Sequence, residues 1–318
     1  MIQKNSSPIA VSFGEVLWDI FPTYKRIGGA PLNVVYHLRK FGIETHIITK
    51  IGDDDLGNKI LKHIQDNQIS SDNVQRDSTY RTGTVFATFD DHNEANYDFL
   101  ENSAWDYIDL EEKTINLVKR SDVFIFGSIA SRSAKSRNTL TQLIEVANYK
   151  VFDINLRPPH YDLKFVMEMM KKANLIKMNN AELEIILNEL DKTFTTEEES
   201  ITFIHEYFKC EEIIISKGAK GGIYSDTKSL YRFPAIEIVI RDTVGSGDAF
   251  LAGLLAEKLK SNTPITFLKK GATLGAFITS HTGACPEYEI DDFTTFYDEN
   301  IYLDEEIKVS PLKEEDPS

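Results

Sequence analysis

Asp242-Thr243-Val244-Gly245-Ser246-Gly247-Asp248-Ala249-Phe250 is a run of small residues and two glycines that leads straight into a helical pattern, with Phe250, Leu251, Leu254, Leu255 and Leu259 at core spacing. The spacing predicts a helix over residues 248–260. A Gly-rich turn at a helix N-terminus aims several unpaired backbone N–H groups at one spot, and the helix dipole adds positive potential there. An anion such as phosphate is expected to bind. Asp248 falls in the first helical turn, where an ionised carboxylate can accept a proton from an attacking hydroxyl. An N-capping Asp after a tight turn accounts for the same residue.

Outward from this turn, short apolar runs alternate with segments of helical period. Strands are expected at residues 9–13, 46–51, 123–126, 151–154, 175–178 and 213–216, with two short ones at 222–224 and 230–233. Helices are expected at 32–41, 56–65, 138–147, 165–172, 181–190, 201–208 and 264–279. Strands joined through helices run parallel with right-handed crossovers, which predicts a doubly wound α/β fold, mainly parallel and covered by helices on both faces. One stretch breaks the rhythm: TGTVFATF (82–89) alternates with period two, DDHNE (90–94) is a turn, and ANYDFL (95–100) resumes. With the extended segment 17–27 it is expected to form a small β-sheet, built from segments 15–30 and 82–105, that acts as a lid or an interface. A plain edge hairpin of the main sheet fits the same pattern. No linker is visible, so residues 1–318 are read as a single domain, with 304–318 as a charged, frayed tail.

Among 318 residues, 35 Lys and Arg stand against 50 Asp and Glu, for a net charge of −15. Such a balance argues against nucleic-acid binding, which needs a clustered cationic surface. No apolar run approaches the length that spans a bilayer, and MIQKNSSPIA at the N-terminus lacks the apolar core of a signal peptide. A soluble, cytoplasmic protein is expected. Two cysteines, Cys210 and Cys285, provide neither a disulfide framework nor a zinc site.

Further candidate residues lie upstream. Gly28-Gly29-Ala30-Pro31-Leu32-Asn33 places a diglycine before a helix; backbone can approach a ligand there, and Asn33 offers a donor and an acceptor to a polyol. A turn before a helix explains it equally well. Asp19 is either a lone turn residue or a carboxylate that accepts from two vicinal sugar hydroxyls. GxxxxGK[ST] is absent, and the third Gly of a dinucleotide fingerprint is replaced by Phe250.

Taken together, GGAPLNVVYHLRKFG (28–42) and DTVGSGDAFLAGL (242–254) resemble the two signature regions of the ribokinase-like (PfkB) carbohydrate kinases, in the expected order and separation. The resemblance extends from GEVLWDIFP (14–22) to HTGACPE (281–287). NYDFLENSAWD (96–106) and FDINLRPPHYD (152–162) make the chain most similar to bacterial fructokinases, the latter segment also to 2-keto-3-deoxygluconate kinases. The resemblance implies that Asp248 is the base for the sugar's primary hydroxyl and that Gly245, Ser246 and Gly247 form the anion hole, with Ser246 where the family usually has Ala. It implies Asp19, Gly28, Gly29, Asn33, Asn155 and Arg157 as sugar contacts. On the nucleotide side it implies Asn179, Ser216, Gly218 and Gly221, with Ser216-Lys217-Gly218-Ala219-Lys220-Gly221 matching a T-x-G-x-x-G element. Glu182 would act on Mg2+ through water, and Asp242 and Thr243 would border a K+ site. Locally, Asn179 also reads as an N-cap, and Arg157 as a salt bridge holding the Pro158-Pro159 turn.

The expected reaction is ATP plus D-fructose to D-fructose 6-phosphate and ADP, with Mg2+, in a protein that pairs as a homodimer through the lid sheet. A kinase for 2-keto-3-deoxygluconate or another furanose is the rival within the class. A non-catalytic sugar or nucleotide sensor and a nicotinamide oxidoreductase are rivals outside it.

Overall fold

The computed structural model describes residues 7–89, 95–300 and 303–312. The turn expected at 90–94 and the last residues of the expected tail lie outside them. The chain divides into two compact units, one running to Asn148 and including Gly283–Cys285, the other covering Tyr149–Thr282 and continuing from Pro286. The boundary falls in an ordinary helix-to-strand connection, without the Gly, Pro or Ser enrichment that marks a linker, so composition gives no sign of it.

In the first unit β1 (Ile9–Phe13), β2 (Leu17–Ile20), β3 (Lys25–Gly28), α1 (Ala30–Lys40), β4 (Glu44–Gly52), α2 (Asp55–Asp66), β5 (Val74–Asp77), β6 (Gly83–Phe89), β7 (Ala95–Phe99), α3 (Glu112–Arg120), β8 (Val123–Gly127) and α4 (Ala134–Val146) follow one another. Four strands lie in the order β8-β1-β4-β5, all parallel. Their residues Ala10, Val11, Phe13, Ile47, Ile48, Phe124 and Phe126 are buried, which is why β1 and β8 read as unbroken apolar runs. A separate four-stranded sheet has the order β3-β2-β6-β7, with β2 and β6 parallel and both outer pairs antiparallel. The expected hairpin is therefore part of a small sheet of its own. Leu17, Val85 and Phe99 bury one face of it against Trp105 and Ile129, while Phe86 on the neighbouring position stays half exposed, the period-two outcome that its sequence predicts.

The second unit contains β9 (Lys150–Asp153), α5 (Leu163–Met170), β10 (Leu175–Asn179), α6 (Asn180–Glu189), α7 (Glu197–Phe208), β11 (Glu212–Ser216), β12 (Gly222–Asp226), β13 (Ser229–Phe233), α8 (Ser246–Lys258), α9 (Pro264–Thr279), α10 (Ile290–Glu299), α11 (Leu303–Glu306) and β14 (Lys308–Pro311). Its strands lie in the order β14-β13-β12-β11-β10-β9; β9 to β11 are parallel and β12 to β14 antiparallel. The segment expected to fray from residue 304 instead supplies α11 and β14, whose Leu230–Ser310 and Tyr231–Val309 pairs extend the sheet edge. Burial of Leu303, Ile307 and Leu312 holds it, a three-residue apolar pattern hidden by the surrounding charge. α8 is buried from Ala249 to Ala256 and packs along α9, so its near-continuous apolar sequence is that of a core helix.

Candidate active site

α8 begins at Ser246, two residues before the expected start, because Gly245 takes the left-handed conformation (φ 77°) and serves as the N-cap without any side-chain acceptor. The turn is tied down from outside: Arg241 and Asp242 N–H groups donate to the Thr279 carbonyl (3.0 and 3.3 Å), and Val244 N–H donates to the Asp242 carboxylate (3.0 Å). Ser246 N–H goes back to the Thr243 carbonyl at 3.3 Å, so the first-turn donors that follow it, beginning with Gly247, are the ones presented outward. Asp248 is half-buried in that same turn.

At the end of β10, Asn179 caps α6: its side-chain oxygen accepts from Glu182 N–H (2.9 Å), and Glu182 accepts from Asn179 N–H (2.8 Å), a reciprocal capping box. The other Glu182 oxygen accepts from Leu156 N–H at 2.8 Å. Burial pushes the Glu182 pKa up against the lowering effect of those two N–H groups, and the net shift is upward. Leu156 follows Asn155, which is left-handed at φ 43°, a conformation that Asn tolerates better than most residues. That turn carries Arg157 to the surface, where among the described residues its guanidinium forms no ion pair.

Sequence reasoning missed Lys177. It faces Asp153 across the β9–β10 register, its Nζ is 2.7 Å from Asp153 Oδ2, and both residues are buried. A Cβ on Gly247 would come within 3.4 Å of Lys177 Nζ, so the ammonium lies against the Gly-rich turn. Burial alone would lower the Lys177 pKa, but Asp153, with Asp248 and Glu182 acting over longer range, outweighs it and raises it: the group is charged. The available signal was one ionic residue of each sign at matching places in consecutive apolar strands.

Gly218 and Gly221, both at positive φ, shape a tight turn after β11, with Lys217 N–H bonded to the Gly221 carbonyl (2.8 Å). Ser216 stands half-exposed at its start, its hydroxyl 3.4 Å from the Met178 carbonyl.

In the first unit, Asp19 on β2 is brought against Gly28 on β3, where a Cβ would collide with its Oδ2; Gly29 at φ 113° then opens α1 with its carbonyl accepting from Asn33 N–H (3.0 Å). Asp19, Gly28, Gly29 and Asn33 thus form one patch. Asn33 is buried, and its side-chain oxygen accepts from Cys285 (3.3 Å). One turn on, the His37 ring lies 2.9 Å from the Ala284 carbonyl and must donate its Nε2 proton; burial lowers the His37 pKa to about 4.

Among the described helices of eight or more residues, α1 and α8 alone start on a glycine without a side chain closing the first turn. Asp54, Thr114, Ser133, Asp162, Asn179, Thr196, Thr263 and Asp292 close the others.

Residues 9–291 match the pfkB family of carbohydrate kinases, and the chain belongs to that family. It is an ATP-dependent carbohydrate phosphotransferase. Fructokinase-2 of Solanum habrochaites is 26% identical over 313 residues, covering 89% of this chain and 93% of the relative. The fold is also that of a Vibrio cholerae O395 fructokinase solved with fructose, ADP and calcium (TM-score 0.79, 23% identity, 91% of this chain and 99% of that one). A Xylella fastidiosa fructokinase with bound ATP is similar as well (TM-score 0.80, 18% identity, 92% and 98%).

Proposed function

We propose that the protein transfers the γ-phosphoryl group of ATP to the primary hydroxyl of D-fructose, giving D-fructose 6-phosphate and ADP. The observation that carries the reading is the open first turn of α8, where Asp248 stands beside N–H groups that no side chain caps. Phosphoryl transfer needs positioning and charge stabilisation more than covalent chemistry. Asp248 takes the hydroxyl proton as the oxygen attacks, and the Gly245-Ser246-Gly247 amides receive the charge on the transferring group. The fructokinase relatives support fructose as the acceptor.

Asp19, Gly28, Gly29, Asn33, Asn155 and Arg157 are assigned to the sugar. Asn179, Ser216, Gly218 and Gly221 are assigned to the nucleotide. No group of three or more metal-ligating side chains occurs among the described residues. The donor set therefore fits Mg2+ held chiefly by ATP phosphates, with Glu182, whose oxygens retain lone pairs beyond their backbone partners, reaching it through water. Mg2+ would neutralise phosphate charge when bound. Asp242 and Thr243 suit a K+ beside the turn. The small sheet is assigned as a lid that excludes water from the sugar, and its half-exposed Phe86 face as the surface for a second copy. A need for ATP supports a cytoplasmic location.

A coupled ADP-release assay over a sugar panel tests the reading. Fastest turnover is expected with D-fructose. A preference for 2-keto-3-deoxygluconate would replace the substrate, and no ADP with any sugar would make the protein a sensor.

A further inference from the structure

Lys177 has no part in the chemistry assigned so far, yet it is buried and its ammonium lies beside the Gly-rich turn. Three carboxylates act on it: Asp153 directly, Asp248 and Glu182 through space. A phosphate arriving among three carboxylates meets repulsion that the amides of one helix turn only partly offset. A fixed ammonium at the base of the turn changes that balance.

We propose that Lys177, held in place by Asp153 beside Gly247, is a positioning residue of the phosphoryl-transfer site: it supplies the positive charge beneath the Gly245–Asp248 turn. Gly247 has ordinary helical geometry, and a Cβ there would meet the ammonium at 3.4 Å, an ordinary van der Waals contact, so turn and ammonium are direct neighbours. The hydrogen bond to Asp153 at 2.7 Å removes the side chain's rotational freedom, so the charge is in place before substrate arrives.

The inference rests on the kinase reading, and the test separates the two. Removing Lys177 alone leaves Asp153 buried and unpaired, which threatens folding, so the informative protein is the double variant Lys177→Met with Asp153→Leu. Apolar replacement of both members of a buried pair is often neutral for stability. With the sugar that supports wild-type turnover, kcat is expected to fall about 10²-fold while the sugar KM stays within about twofold, and Mg·ATP affinity measured by calorimetry without sugar should weaken about tenfold. Lys177→Arg, which keeps the charge at imperfect geometry, should recover part of the lost ATP affinity. A folded double variant with wild-type kcat and ATP affinity would show that the pair is only structural and overturn the proposal. A wild type inactive on every sugar would count against the kinase reading, and the ATP titration would still decide the role of Lys177.

Discussion

Two helices of the second unit start in opposite ways. α6 closes itself with side chains: Asn179 accepts from Glu182 N–H, and Glu182 accepts from Asn179 N–H. α8 begins on a left-handed glycine, its connecting loop is held by Thr279, and its first-turn donors face outward. Capping stabilises a helix by about 1 kcal/mol, so a helix that forgoes it holds those N–H groups for another acceptor. The same contrast sets Glu182 apart from Asp248. Glu182 binds two backbone N–H groups of its own unit, and Asp248 stands where a proton can be taken.

The comparison can be broken by giving α8 a cap. Gly245→Asp should set a carboxylate over the first turn, adding strain at φ 77° and competing with phosphate; kcat/KM for ATP is expected to fall about 10²-fold in steady-state kinetics. Near-normal ATP kinetics in a folded variant would mean the open turn is not the anion site. Gly247→Ala leaves the backbone conformation allowed and disturbs only the space shared with Lys177, so a loss of about tenfold in kcat is expected, with sugar KM unchanged.

α1, the other glycine-led helix, can be sharpened through pH. The folded-state pKa of His37 lies near 4, below the unfolded value of about 6.5, so the folded protein binds fewer protons between those values. Stability should fall as pH drops through that window, with His37 contributing at most about 1.4 kcal/mol per pH unit. Denaturant melts at several pH values check this, and His37→Gln should flatten the profile. The smallest effect is expected at α6: Asn179→Ala should cost about 1 kcal/mol in a denaturant melt and change kcat only a few-fold.

Much of the architecture was readable because parallel strands buried on both faces leave plain apolar runs: β1, β4, β8, β9, β10 and β11 lie where those runs predict, and α9 has the limits its pattern predicts. β5, with the sequence VQRD, and β14, with KVSP, escaped because polar edge strands lack that signature. α4 starts four residues before its apolar pattern, where the Ser133 cap and not periodicity sets the end. At the site, the Gly-rich turn was legible since its chemistry is local. The Lys177–Asp153 pair was not, because the two residues meet only through strand register, and neither was the double use of the Glu182 carboxylate, which depends on where the chain turns at Asn155. The prolines and charges after residue 303 pointed to fraying, and burial of three spaced apolar residues overrode them.

Asp248 carries the proton-transfer step. Turnover of Asp248→Asn with D-fructose and Mg·ATP, measured alongside ATP binding by calorimetry, should show kcat reduced at least about 10²-fold with ATP affinity retained, as befits loss of a general base from an intact anion site. Wild-type turnover in the folded variant would contradict it.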